Sequence, residues 1–251
     1  MTGESLETVS LSPRSVMRLL KENRFLLLLI FLLLLIIFSP YLSGTTSDKV
    51  VQATLVSLVL LGAIDCLQFR NRGMLTTRWF GLITLLSGWV PIFSVHPFLV
   101  AGVYTFRLVF FLLVTGALIY QIARSAKVTL PLIIGAIDGY LMLGIVGATA
   151  FAVVESLIPG SVHLPAGMSS SSDLVYFAFI TMLTIGYGDA LPVGPTAQTI
   201  AIFLGVAGQF YIAILVSMLV GKFLASSQGG AAPGGATLPR PTARSGIGDG
   251  R

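Results

Sequence analysis

Thr181-Met182-Leu183-Thr184-Ile185-Gly186-Tyr187-Gly188-Asp189 is a short, moderately apolar stretch between two long hydrophobic runs. It reads as a strand whose main-chain carbonyls, not its side chains, are the ligands. A cation entering a narrow pore sheds its water shell, and rings of carbonyl oxygens can replace that water. Presenting consecutive carbonyls on one side needs backbone at φ > 0, which Gly186 and Gly188 tolerate because they carry no Cβ. Thr184 can add a hydroxyl oxygen at the inner end of the row. One chain supplies one wall only, so the site is complete only where four chains surround an axis.

The rest of the chain supplies a membrane for such a pore. Of its 251 residues, 55% are hydrophobic and 10% charged. Its mean hydropathy is +0.93, far from soluble domains. Six apolar runs are expected to span, at residues 25–42, 50–67, 79–95, 97–123, 129–157 and 197–224. The first follows basic residues, as in a secretory signal peptide. It is long, however, and no small-residue cleavage site follows, so it reads as a retained span. The chain then divides into a cytoplasmic segment at 1–24, a four-span bundle at 25–128, a two-span unit at 129–224 and a tail at 225–251. The tail is rich in Gly, Ala, Pro, Ser and Thr, which cannot bury a core and reads as disordered.

Charge gives the orientation. Arg14, Arg18, Lys21 and Arg24 precede the first run, and Arg70, Arg72 and Arg78 lie between the second and third. Arg124 and Lys127 separate the fourth from the fifth, Lys222 closes the sixth, and the alternate connections hold only Lys49. The net charge of +5 is therefore an orientation signal and not a nucleic-acid one. Both termini are expected in the cytoplasm, with the loop carrying 181–189 outside. Within that loop, Ser170-Ser171-Ser172-Asp173 reads as an N-cap that opens a short helix over 174–183. Its C-terminal end points the negative pole of the helix dipole at the cation path. Non-helical backbone at that depth is tolerated only inside protein or against water.

With these surroundings, Thr184 to Asp189, with Thr181 upstream, resembles the selectivity filter of the potassium-channel pore-domain family. Gly139-Tyr140-Leu141-Met142-Leu143-Gly144, and Gly208-Gln209-Phe210-Tyr211 to Val220-Gly221, resemble bacterial six-span potassium channels without a voltage sensor. The resemblance runs from about Leu130 to Leu224. It implies an all-α membrane protein of six transmembrane helices, with a re-entrant pore helix and filter between the fifth and sixth. It further implies a homotetrameric pore in the bacterial plasma membrane. Potassium would be bound at Thr184, Ile185, Gly186 and Tyr187, with Gly188 and Asp189 holding the outer mouth. Selectivity for potassium follows from the resemblance, not from the backbone reading. The resemblance also places Tyr176 as a brace on Asp189 and Gly208 at the gating hinge. Ile180 stands where some relatives carry a second acid, so a two-carboxylate brace is not expected.

The implied activity is passive potassium conduction by a protein that is not an enzyme. It needs no cofactor beyond the permeant ion, and its partners are lipid and further copies of itself, with no nucleic acid. The alternative is a sensor or regulatory subunit whose pore is silent or weakly selective. On the sixth span, Tyr211, Ile212, Leu215, Val216 and Leu219 include the expected cavity face. Gly135 and Gly139 read as one small-residue packing seam.

Asp65, Arg107 and Asp138 are ionisable residues within spans, where a charge calls for a named partner. Arg107 lies about 14 Å below the outer end of its span at the α-helical rise. A structural ion pair with Asp65 or Asp138 is expected, with both acids open. Arg107 stands without the three-residue basic repeat of a voltage sensor, so steep voltage gating is not expected. Cys66 reads as inert, Glu155 as facing water or the filter surround, and His96 and His163 have no second metal ligand nearby.

Overall fold

The computed structural model describes residues 23–42, 45–66, 73–94, 96–125, 129–165, 168 and 171–228. Helix α1 (Arg24–Phe38) tightens into a 3-10 turn at Ser39–Tyr41, and α2 (Thr46–Cys66) returns beside it. Then come α3 (Gly73–Ser87), the single turn α4 (Val90–Phe93), α5 (Pro97–Arg124) and α6 (Leu130–Leu157). Strand β1 (Val162–His163), helix α7 (Asp173–Met182), strand β2 (Leu191–Pro192) and helix α8 (Pro195–Gln228) complete the order. Both α5 and α6 open with proline in the first helical turn, where the missing N–H has no intrahelical partner to lose.

Among the described residues, five helices are long and apolar enough to cross a membrane. The expected third span, 79–95, is the difference. It is broken between α3 and α4 at Gly88-Trp89, and the cause is Pro91. Proline has no N–H for the carbonyl four residues back, and its ring crowds that carbonyl. Past the break, the Ile92 N–H donates to the Trp89 carbonyl at 3.2 Å instead of continuing the α pattern. The Gly88 carbonyl is left without its helical donor.

One apolar core joins the amino-terminal helices to the carboxyl-terminal ones. It includes Leu28 and Leu32 of α1, Phe110 and Phe111 of α5, Met142 and Phe151 of α6, and Met182 of α7. Helix α6 is its axis, with α5 lying along it and α1, α7 and α8 all packing on it. Lipid tails are as apolar as these side chains, so close packing must hold the helices together. The small residues of α6 allow it. A Cβ at Gly135 would meet the Phe25 ring of α1 at 3.1 Å, while one at Gly139 would run into the Tyr211 hydroxyl of α8. Gly135 and Gly139 are therefore not one seam but two, each receiving a different helix. Tyr211 fits there because its hydroxyl donates to the Ala136 carbonyl at 2.7 Å. It consequently faces α6, not the expected cavity.

Helix α8 is the least covered. Ile202, Phe203, Phe210 and Ile214 are all largely exposed in the single chain, Phe203 at 70%. Arg14, Arg18, Lys21, Arg70, Arg72, Lys127 and the tail from 229 onward lie outside the described residues, as do the side chains of Arg78, Leu219 and Lys222.

Candidate functional site

Helix α7 starts at Asp173, an acid in the first turn, where it complements the positive end of the helix dipole. The expected serine cap is not what holds it. Ser172 is itself in the helical region and makes no capping bond. Its hydroxyl instead donates to the Leu42 carbonyl at 3.3 Å, and its carbonyl accepts from Ser39 Oγ at 2.6 Å. The turn after α1 lies against this end of α7 and offers tertiary partners that displace the local one. Ser170 lies outside the described residues.

The other end of α7 shapes the loop that follows. The Leu183 N–H donates to the Phe179 carbonyl at 2.9 Å and the Thr184 N–H to Thr181 at 3.1 Å. The Ile180 carbonyl then accepts two bonds, from Ile185 N–H at 2.9 Å and Gly186 N–H at 3.2 Å. Four consecutive donors are thus consumed by the last turn of the helix. Thr181 turns its hydroxyl back to the Phe177 carbonyl at 2.8 Å.

Backbone handedness does the rest. Thr184, Gly186 and Gly188 have φ of 57°, 54° and 84°. Every second residue is therefore left-handed. An ordinary strand sends successive residues to opposite faces, and reversing the handedness at alternate residues removes that alternation. Gly186 and Gly188 adopt it freely, whereas Thr184 is a β-branched residue in a region such residues rarely enter. Sequence reasoning named Thr184 for its oxygens but missed its left-handed backbone, which no composition signal marks. Residues 183–189 are all exposed in the single chain.

At the end of this loop, Asp189 is gripped twice. The Tyr176 hydroxyl donates to its Oδ2 at 2.7 Å and the Ala190 N–H to its Oδ1 at 3.0 Å. The bond to Asp189 pushes the Tyr176 phenol up to about 12, with burial adding to it. The hydroxyl therefore stays a donor throughout the neutral range. Below this, β1 and β2 pair antiparallel, Val162 with Pro192 and His163 with Leu191.

Residues 139–225 match the family model described as an ion channel. The segment resembles a potassium-channel-type pore domain. Over 107 residues the chain is 31% identical to a protein named inward rectifier potassium channel Kirbac3.1, from Paramagnetospirillum magnetotacticum. The match covers 41% of this chain and 33% of that protein, so the chain spans about a third of its relative's length. No solved structure matches. Together with the apolar helices, the ion-channel match over this segment points to an integral membrane protein.

Gly208 of α8 sits against the end of α7, where a Cβ would lie 2.8 Å from the Met182 carbonyl oxygen. That is a steric reason for glycine, inside a helix that continues unbroken. Gly205 is looser, its nearest neighbour being the Thr181 carbonyl oxygen at 3.9 Å.

The expected ion pair is absent among the described residues. Arg107 is buried and donates to the Gly88 carbonyl at 3.3 Å, with its Nε unpartnered. The broken helix offers that carbonyl, and no acid reaches the guanidinium. Asp138 is 0% exposed and neither carboxylate oxygen has a partner, while Asp65 is exposed. Cys66 is buried, its thiol directed at the Arg24 carbonyl at 3.6 Å. Glu155 is half-buried and accepts bonds from the turn that follows α6.

Proposed function

We propose that this chain forms one quarter of a potassium-selective channel that conducts passively. One observation carries the reading. In 184–188 the left-handed backbone recurs at every second residue while the adjoining N–H groups are held by α7. The carbonyls of Thr184, Ile185, Gly186 and Tyr187 are then the groups left to coordinate a dehydrated ion. Four copies around one axis would complete the rings and cover the exposed side of α8, including Phe203, Phe210 and Ile214. The negative end of α7 would face the entering cation. Potassium as the preferred ion rests on the resemblance of Thr184–Asp189 and on the relative's name. In this reading the termini are cytoplasmic and the 181–189 loop is outside. Opening is not steeply voltage-dependent, because one charge through the full field is worth only about 2.3 kcal/mol per 100 mV and Arg107 stands without the three-residue basic repeat of a voltage sensor.

The test is ion flux through the purified protein in liposomes, driven by a potassium gradient and then by an equal sodium gradient. Robust potassium flux with little sodium flux is expected. An assembled protein that passes neither ion would favour the sensor-subunit alternative.

A further inference from the structure

Between α2, the break after α3, α5, α6 and the start of α7 lies a cavity of about 600 Å³, a size typical of small-molecule sites. It reaches the filter-loop ends of the helices at Lys49, Ser94 and Pro159 and extends inward to Arg107 and Phe111. Arg107 is 9% exposed. Its guanidinium has one long bond to the Gly88 carbonyl at 3.3 Å and the Tyr104 ring at 5.5 Å, and its Nε has no partner.

The acids that line the cavity are engaged elsewhere. Glu155 accepts from the Gly160 N–H at 2.7 Å, Ser161 Oγ at 2.8 Å and the Val162 N–H at 3.0 Å. Asp48 accepts from the N–H and hydroxyl of Thr45 at 3.1 and 2.7 Å. The guanidinium is therefore a buried cation with no counter-charge among the described residues, a costly state unless something pairs with it. Its planar fork of donors matches the oxygens of a phosphate group. Beside it, Val56, Phe111 and Ala148 offer an apolar wall.

We propose that this cavity binds a net-anionic amphiphile, one whose phosphate oxyanion is not balanced by a cation of its own headgroup as it is in phosphatidylcholine. The oxyanion sits on Arg107 and the apolar part lies against Val56, Phe111 and Ala148. Ser171 and Ser172, at the start of α7, line the same cavity. Ser171 Oγ donates to Gln52 Oε1 of α2 at 2.9 Å. A ligand there touches the helix from which the filter strand hangs, and occupancy is expected to change conduction. The binding itself does not depend on potassium selectivity.

The experiment uses the full chain in phosphatidylcholine vesicles, in phosphatidylcholine with phosphatidylglycerol, and in phosphatidylcholine with inorganic phosphate. Native mass spectrometry reads retained ligand, and flux reads the consequence. Retained phosphatidylglycerol is expected, with Arg107→Gln weakening it about tenfold, the loss of a charge-assisted bond, and Arg107→Lys recovering part. Val100→Trp, which fills the cavity and leaves Arg107 in place, is expected to expel the lipid; it decides the matter if Arg107→Gln fails to assemble. Inorganic phosphate reproducing the flux change in an Arg107-dependent way would support the site and assign a soluble anion as its occupant. Equal lipid retention in wild type, Arg107→Gln and Val100→Trp overturns the proposal whether or not the protein conducts; where it conducts, retention with no change in flux overturns the coupling to the pore.

Discussion

Between Leu183 and Gly186 each peptide N–H is held by a carbonyl of α7, whereas in the middle of α5 and α6 Arg107 keeps one long bond and Asp138 has none. Both regions put polar groups where water is scarce. In the loop, redundant short-range bonds leave a single backbone path. At the buried charges, nothing among the described residues completes the pairing, so the energy of those groups is open to whatever else enters. Rigidity and susceptibility are thus separated within one subunit.

The largest expected effect probes the rigid side. Gly186→Ala should collapse the potassium-to-sodium flux ratio. A Cβ at φ 54° meets no neighbour, so the penalty is purely conformational, about 1–2 kcal/mol per chain and incurred in each copy. Retained selectivity in an assembled Gly186→Ala protein would break the carbonyl reading.

Next is Gly208→Ala, expected to destabilise by about 1–3 kcal/mol because the new methyl meets the Met182 backbone. Gly205→Ala should be neutral or gain up to about 1 kcal/mol. Melting temperatures of the two variants compare them directly. Unchanged stability in Gly208→Ala together with altered open probability would favour the hinge over the packing explanation.

Tyr176→Phe should weaken the outer end of the loop by about 1 kcal/mol, seen as faster loss of conduction at low potassium. If neither Tyr176→Phe nor Asp189→Asn changes that rate, the brace has no functional weight. The smallest effect is a null one. Arg107→Gln and Asp138→Asn should combine additively in stability to within about 0.5 kcal/mol, since they share no contact. A strong coupling, such as breaking a buried ion pair produces, would reverse the contrast between the two regions.

The filter region was legible where the chemistry is local. Gly186 and Gly188 declare left-handed backbone, and Asp173 ahead of an apolar run announces α7. Thr184 was not legible, because its handedness is imposed by a helix carbonyl, Ile180, that holds the next two N–H groups. Across the chain, the length of the apolar runs was enough for five helices, but Pro91 was outvoted by its apolar neighbours. Arg107 drew attention by its charge, yet its partner is a backbone carbonyl freed by that proline, which no charge pattern encodes. The Ser172 cap failed for a related reason, since Leu42 and Ser39 approach from more than a hundred residues away.

The bond from Ser39 to the Ser172 carbonyl joins each amino-terminal bundle to the pore helix of its own chain. Only five residues connect α5 to α6, and the two helices pack together as a hairpin. Consider a ring assembled from intact and altered chains in the proposed tetramer. A lesion in one bundle would then reach one pore helix in four, so the defect should grade with the number of altered chains, not pass to a neighbour. Co-expression at varied ratios would turn that inheritance pattern into a count.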